Sequence, residues 1–163
     1  MTLNDLIPHA ERAASLLRAR KETVAVAESS AGGLVSAALL AVPGASDYYV
    51  GGAVSYTRTV LIHLSGMRAE ELSKINGATE EFTLLAARSV RDRYRTSWGV
   101  GESGAAGPTG NRYGDPPGHT VVAVAGLRQR ALVLRTGESD RIANMHAFAE
   151  AALKLLVDSI SAA

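Results

Sequence analysis

Two short segments rich in serine and glycine are the places where this sequence could carry out chemistry. Residues 28–33 read Glu-Ser-Ser-Ala-Gly-Gly, and residues 103–110 read Ser-Gly-Ala-Ala-Gly-Pro-Thr-Gly. Serine supplies hydroxyl groups, and glycine lets the backbone approach a ligand closely. Neither segment has the Gly-x-Gly-x-x-Gly or P-loop pattern, so glycine content alone does not indicate a nucleotide. Each segment is also typical of a simple connection between a strand and a helix.

Metal and thiol chemistry have little support in the sequence. The chain has no cysteine, which excludes disulfides, thiol nucleophiles and thiolate metal sites. Its four histidines lack the spacing of metal ligands, and only His119, at the end of a long loop, is a candidate for a pocket. No Gly-x-Ser-x-Gly elbow is present to anchor a serine triad. We therefore expect no metal and no other cofactor.

Composition and charge disfavour several other classes of protein. The chain has 163 residues, 47% of them apolar and 20% charged, as expected for one globular domain spanning 1–163. The net charge is +1 and the basic residues are dispersed among acidic ones, so neither nucleic acid nor a membrane is an expected partner. We expect no signal peptide, and no apolar stretch approaches the roughly 20 residues that span a bilayer. The expected location is cytoplasmic.

Hydrophobic periodicity places both serine–glycine segments directly after predicted strands. Strands are predicted over five stretches, the last two forming a hairpin: 23–27, 48–57, 98–102, 120–125 and 131–134. Helices are predicted around them: 4–20, 34–42, 59–65, 68–74, a longer one capped by Thr79, and 140–160. The interleaved order and the hairpin predict an α/β fold, a three-layer α/β/α sandwich with a mixed sheet. Ligands collect at the carboxyl ends of parallel strands, where both segments would lie.

A series of motifs along the chain carries a family resemblance. They are Ala-Glu-Ser-Ser-Ala-Gly-Gly at 27–33, Pro-Gly-Ala-Ser at 43–46, Gly-Gly-Ala-Val-Ser-Tyr at 51–56, Gly-Ala-Thr at 77–79, Ser-Gly-Ala-Ala-Gly-Pro at 103–108 and Pro-Pro-Gly at 116–118. In order and spacing they resemble the CinA C-terminal family of nicotinamide mononucleotide deamidases over nearly the whole chain. That family reads Ala-Glu-Ser-Cys-Thr-Gly-Gly at the first motif and Thr-Gly-Ile-Ala-Gly-Pro at the fifth.

The resemblance implies an activity and a set of residues. It implies self-association into a homo-oligomer and metal-free hydrolysis of the carboxamide of nicotinamide mononucleotide, giving nicotinic acid mononucleotide and ammonia. A serine nucleophile assisted by a lysine and a tyrosine would fall here at Ser46, or as second choice Ser29, with the tyrosine at Tyr56. The residues expected to bind this small nucleotide-like substrate are Glu28, Ser30, Gly32, Gly33, Ser103, Gly104, Gly107 and Arg141.

Three departures from the family pattern affect the expected chemistry. Leu61 stands at the lysine position, Ala31 replaces a threonine that would donate a hydroxyl, and Met145 aligns with an arginine. A hydrocarbon cannot take a proton from a serine hydroxyl, and general-base assistance is worth roughly 10²–10⁴ in rate. Two interpretations stay open: an amidohydrolase with impaired or altered catalysis, or a non-catalytic relative that binds a ligand or assembles. Under the plainest alternative, the glycines only form turns, Tyr56 is a strand aromatic and Ser46 caps a turn.

Overall fold

The computed structural model describes residues 1–163, and a mixed sheet of five strands lies at its centre. The strands are β1 (Val24–Glu28), β2 (Tyr49–Val54), β3 (Trp98–Ala105), β4 (His119–Ala125) and β5 (Gln129–Arg135). Their spatial order is β2-β1-β3-β4-β5, with the first three parallel and β4 and β5 antiparallel to their neighbours. Helices pack on both faces, which confirms the predicted three-layer α/β/α sandwich with a mixed sheet.

Six α-helices form the outer layers. They are α1 (Ile7–Arg20), α2 (Leu34–Ala41), α3 (Arg58–His63), α4 (Ala69–Leu72), α5 (Glu80–Tyr94) and α6 (Arg141–Ser161). The predicted cap of α5 is present, since the Thr79 hydroxyl oxygen accepts a hydrogen bond from the Phe82 amide at 3.3 Å. Asp140 caps α6 in the same way, accepting from the Ala143 amide at 2.9 Å. None of these helices combines the length and apolar composition that a membrane span needs.

Side-chain alternation along the parallel strands divides the core into two parts. Val24 and Val26 of β1 pack with α1, α2 and α6, whereas Ala25 and Ala27 point to the other face, where α5 and α3 lie. The residues of β3 alternate in the same way, so Trp98 and Val100 join the larger part of the core. This two-residue period also fixes which way polar side chains point at the ends of the strands.

Helix α5 rests directly on the backbone of β3. A Cβ atom added to Gly99 would lie 2.0 Å from the Ala87 carbonyl oxygen, and one added to Gly101 would lie 2.5 Å from the Thr83 carbonyl oxygen. Both distances are far below any van der Waals contact, so only glycine fits between this strand and this helix. The close approach holds the start of α5, and the segment before it, at a fixed height above the sheet.

Several predicted boundaries differ from the structure, and two of them lie beside the serine–glycine segments or the Tyr56 motif. The strand predicted over 48–57 ends at Val54, and β3 continues past the predicted end into the second serine–glycine segment as far as Ala105. The pairing of β1 with β2 shifts register beside Gly51, since Val24 pairs with Tyr49 and Ala25 with Gly51.

Candidate functional site

The two serine–glycine segments lie side by side at the carboxyl ends of β1 and β3. These strands are adjacent and parallel, with Ala27 paired to Gly101, so the residues that follow them meet at one edge of the sheet. The contact between the segments is made by a carboxylate. Glu102 Oε2 accepts from the Ser29 amide at 3.0 Å and from the Ala31 amide at 2.8 Å, and Oε1 accepts from the Ser30 and Thr120 hydroxyls. Sequence reasoning missed Glu102.

Glu28 does not face this edge, which corrects the prediction that it binds substrate. Its side chain is fully buried below the start of α2. There it accepts hydrogen bonds from the Gly33, Val35 and Ser36 amides at 2.9–3.0 Å and from the Ser36 hydroxyl at 2.6 Å. Burial raises the pKa of Glu28, while the bonds from Ser36 and Val35 oppose that shift. The positive end of α2 is therefore occupied by the protein's own carboxylate and is closed to an external anion.

A cavity of about 430 Å³, called here the main cavity, opens beside the two segments. Several residues that line it carry a hydroxyl group, among them Ser29, Ser55, Tyr56 and Ser103. A smaller side cavity of about 180 Å³ adjoins it, since Tyr56, Gly104 and Asn111 line both. The structure thus brings together two of the predicted catalytic residues, Ser29 and Tyr56, in one cavity.

The other predicted binding residues divide into two groups. Ser103 and Gly104 line the main cavity, while Ser30, Gly104, Gly107 and Arg141 line the side cavity. Gly32 and Gly33 line neither; they have φ angles of 68° and 99°, which form the turn into α2, and the Gly33 amide is already bonded to Glu28. For these two glycines the structure supports the turn and not the substrate contact.

Ser46 lies at the opposite edge of the sheet, so the prediction that it shares a cavity with Tyr56 is wrong. It occupies a short 3₁₀ turn, Ala45–Asp47, that comes before β2. Because β2 runs parallel to β1 and Tyr49 pairs with Val24, a residue before β2 lies near the amino end of β1. The length of β1, about 16 Å at 3.3 Å per residue, separates that edge from Ser29. Ser46 lines neither cavity.

Leu61, which stands at the position of the family lysine in the motif resemblance, lies in the wall of the main cavity. It is buried and packs with apolar residues of α4 and α5, among them Leu72 and Phe82. No aspartate, glutamate, lysine or histidine lines the main cavity or the side cavity. His119 is buried at the start of β4, where its Nε2 lies 3.0 Å from the Ala78 carbonyl oxygen, and it lines neither cavity. No group of three or more acidic or histidine side chains is arranged to hold a metal ion.

The far wall of the main cavity carries three residues that sequence reasoning did not select: Arg58, Arg112 and Tyr113. The Asn111 side-chain oxygen accepts from the Tyr113 and Asp115 amides, which folds residues 111–115 into a tight turn. Arg112 donates from Nη2 to the Tyr113 hydroxyl at 2.7 Å. Burial raises the pKa of Tyr113, but hydrogen bonds from Arg112, Arg58 and the Gly77 amide outweigh it, and the net shift is downward. The Asn111-to-Asp115 spacing was the available signal for this turn.

Comparison of sequences with known proteins finds one family repeatedly. The family described as CinA C-terminal domain matches residues 7–160. A CinA-like protein from Nostoc punctiforme is 41% identical over 111 residues, which are 68% of this chain and 27% of that protein. A CinA-like protein from Salinibacter ruber is 36% identical over 138 residues, 85% of this chain and 34% of that protein. The chain therefore spans between a quarter and about a third of the length of these curated relatives.

Solved structures share the same fold. A competence-damaged protein (CinA) superfamily protein from Klebsiella pneumoniae superposes with a TM-score of 0.89 at 23% identity, covering 97% of this chain and 99% of that one. The competence/damage inducible protein CihA from Agrobacterium tumefaciens superposes with a TM-score of 0.88 at 26% identity, covering 96% of each chain.

Proposed function

Because this chain belongs to the CinA C-terminal domain family, we propose that its cavity binds nicotinamide mononucleotide or a related amide and hydrolyses it slowly, with Ser29 as the nucleophile. The single observation that carries this proposal is that Ser29 and Tyr56 line the same cavity while Ser46 lies at the other edge of the sheet. The activity itself is what the resemblance to the family's motifs implies.

The position of Ser29 suits a nucleophile. Its backbone amide is held by Glu102, so the residue is fixed in place, while its hydroxyl makes no hydrogen bond within the chain and its side chain is half-buried at the cavity wall. In amide hydrolysis the Ser29 oxygen would attack the carboxamide carbon, ammonia would leave, and water would then release the acid. Ser103, whose hydroxyl oxygen accepts from the Ala78 amide at 3.2 Å, lies across the same cavity to contact the substrate.

Impaired turnover follows from the absence of a proton acceptor. Serine becomes a nucleophile when a neighbouring base takes its proton, and the family lysine is replaced by Leu61 in the cavity wall. Both nearby glutamates, Glu28 and Glu102, are buried with their oxygens engaged by amide and hydroxyl donors. The same observation favours the alternative function, a relative that binds a nucleotide-like ligand without hydrolysing it.

Ammonia release from nicotinamide mononucleotide separates the two functions. We expect slow turnover by the full chain that Ser29→Ala abolishes and that Ser46→Ala, the matched serine at the other edge, leaves unchanged. Leu61→Lys should raise the rate by roughly 10²-fold or more if the lysine reaches the Ser29 hydroxyl. No turnover together with thermal stabilisation by the mononucleotide would favour ligand binding alone. No turnover and no binding would refute both functions.

A further inference from the structure

Two serine hydroxyls form a buried pair at the border of the main cavity. Ser55 follows β2, and its Oγ lies 2.5 Å from the Oγ of Ser65, which comes just after α3. Neither hydroxyl has another hydrogen-bond partner in the chain. Ser65 has no exposed surface and lines neither cavity, whereas Ser55, which is 3% exposed, lines the main cavity. Ser55 is therefore the one member of the pair that can reach a ligand there.

The number of hydrogens in this pair decides which hydroxyl donates. Each serine hydroxyl has one hydrogen, and the bond between the two oxygens uses one of the two hydrogens present. If Ser55 donated to Ser65, the Ser65 hydrogen would be buried without an acceptor, which is costly and rare in native proteins. If Ser65 donates to Ser55, the remaining hydrogen belongs to Ser55 and can point into the cavity. Only the second arrangement leaves no buried donor unpaired.

The pairing of β1 with β2 holds Ser55 beside Ser29. Glu28, the last residue of β1, pairs with Val54, the last residue of β2. The Ser55 amide donates to the Glu28 carbonyl oxygen at 2.6 Å, so Ser29 and Ser55 occupy matching positions after two adjacent strands. Neighbouring strands lie about 4.8 Å apart, and both serines line the main cavity. A substrate group that lies against Ser29 is therefore also close to Ser55.

We propose that the Ser55 hydroxyl, oriented by Ser65, donates a hydrogen bond to the carbonyl oxygen of the amide that Ser29 attacks. This inference rests on the proposed function and deepens it by naming the part of the substrate that the cavity recognises. Negative charge develops on the carbonyl oxygen when a nucleophile adds to the carbon, and a donor already fixed in place stabilises that charge. The bond from Ser65 also polarises the Ser55 hydroxyl and strengthens its donation. Ser55 is thus a catalytic residue and Ser65 a positioning residue.

Two mononucleotides separate this contact from binding in general. Nicotinamide mononucleotide carries the carboxamide, and the corresponding mononucleotide of unsubstituted pyridine lacks it. In calorimetric titration of the full chain, we expect Ser55→Ala to weaken binding of the first about three- to tenfold and to leave the affinity for the second within about twofold. Where ammonia release is measured, kcat should fall about 10²-fold, whereas KM should change by no more than the affinity does.

Two further serine variants separate positioning from loss of structure. Ser65→Ala keeps the Ser55 hydroxyl but removes the group that orients it, so kcat should fall less than in Ser55→Ala while KM stays unchanged. Ser159→Ala is the matched control, because the Ser159 hydroxyl is also buried and donates to the Leu155 carbonyl oxygen within α6. It should leave both affinities and kcat unchanged. A loss of kcat in Ser159→Ala equal to that in Ser55→Ala would contradict a local role for Ser55.

Neutron diffraction from the deuterated, unliganded chain gives a readout that needs neither a variant nor turnover. We expect the Ser65 deuterium on the line to Ser55 Oγ and the Ser55 deuterium directed into the main cavity. A Ser55 deuterium on the line to Ser65 would overturn the proposal, as would equal weakening of both mononucleotides by Ser55→Ala. A deuterium directed into the cavity, with neither mononucleotide bound, would instead refute the proposed function and leave Ser55 as a donor to a different ligand.

Discussion

Glu102 joins the two segments that border the main cavity, and its replacement tests how that junction is held. One carboxylate oxygen, Oε2, accepts from two backbone amides, those of Ser29 and Ala31. The other, Oε1, accepts from two hydroxyls, those of Ser30 and Thr120. A hydroxyl can rotate and become an acceptor, but an amide N–H cannot. Alanine and glutamine at this position should therefore have very different consequences.

The hydrogen-bond partners set the expected magnitudes. Glu102→Ala leaves two amides without an acceptor, the buried one of Ala31 and the half-buried one of Ser29. A buried unsatisfied donor costs about 1–3 kcal/mol and a half-buried one costs less, so the loss of stability is roughly 1–4 kcal/mol. In Glu102→Gln the side-chain oxygen can face both amides while its NH₂ group donates to the two hydroxyls. The Thr120 hydroxyl then still donates to the Ser103 carbonyl oxygen, which lies 3.2 Å away. We expect a cost near 1 kcal/mol for glutamine.

Urea unfolding followed by circular dichroism measures both variants against the unmodified chain. The expected result is that glutamine restores most of the stability that alanine removes. If turnover is detected, it should follow the same order, because Glu102 fixes the backbone that carries Ser29. Equal destabilisation by glutamine and alanine would refute the argument, as would a loss below about 1 kcal/mol for alanine.

Two further predictions concern backbone packing and a buried charge. Gly99→Ala should cost about 3 kcal/mol or more in urea unfolding, because its Cβ would lie 2.0 Å from the Ala87 carbonyl oxygen. Gly51→Ala, with no atom within 4 Å of the added Cβ, should be neutral or slightly stabilising. Equal effects of the two substitutions would contradict the packing argument. Burial raises the pKa of Glu28, so its contribution to stability is fully present below the ordinary value of 4.5 and is lost as the pH rises through the folded-state pKa. The unfolding free energy of the unmodified chain minus that of Glu28→Gln should therefore fall as the pH rises above the ordinary value of 4.5, and a constant or rising difference would contradict the assigned shift.

Hydrophobic periodicity, turn residues and helix caps were sufficient to predict the layers and most of the helices and strands. The strand before Glu28, the hairpin near the carboxyl end and the helix capped by Thr79 are all confirmed, because each depends on local signals. The position of Ser46 follows from the parallel pairing of β2 with β1, since a residue that precedes a parallel strand lies at the opposite edge from residues that follow one. Strand alternation also places Glu28 on the same face as Val26, which packs under α2.

Other features of the site depend on contacts that no local pattern specifies. Arg58 and Arg112 line the same cavity although they are 54 positions apart in the chain. Glu102 is equally non-local, because its partners lie in the loop after a different strand. Sequence spacing cannot predict which side chains face one another across a cavity, whereas it does predict which segments border it.

The contact of α5 with the glycines of β3 fixes one side of the main cavity through backbone packing. Gly77 and Ala78, which lead into α5, line the main cavity at a level set by main chain resting on main chain. Such a contact has no side chain that could be compressed, lengthened or exchanged. The turn at residues 111–115 and Arg58 contribute side chains to the same cavity and take no part in that backbone contact. Substitutions on that side can change the lining of the cavity without disturbing the packing of α5 on β3.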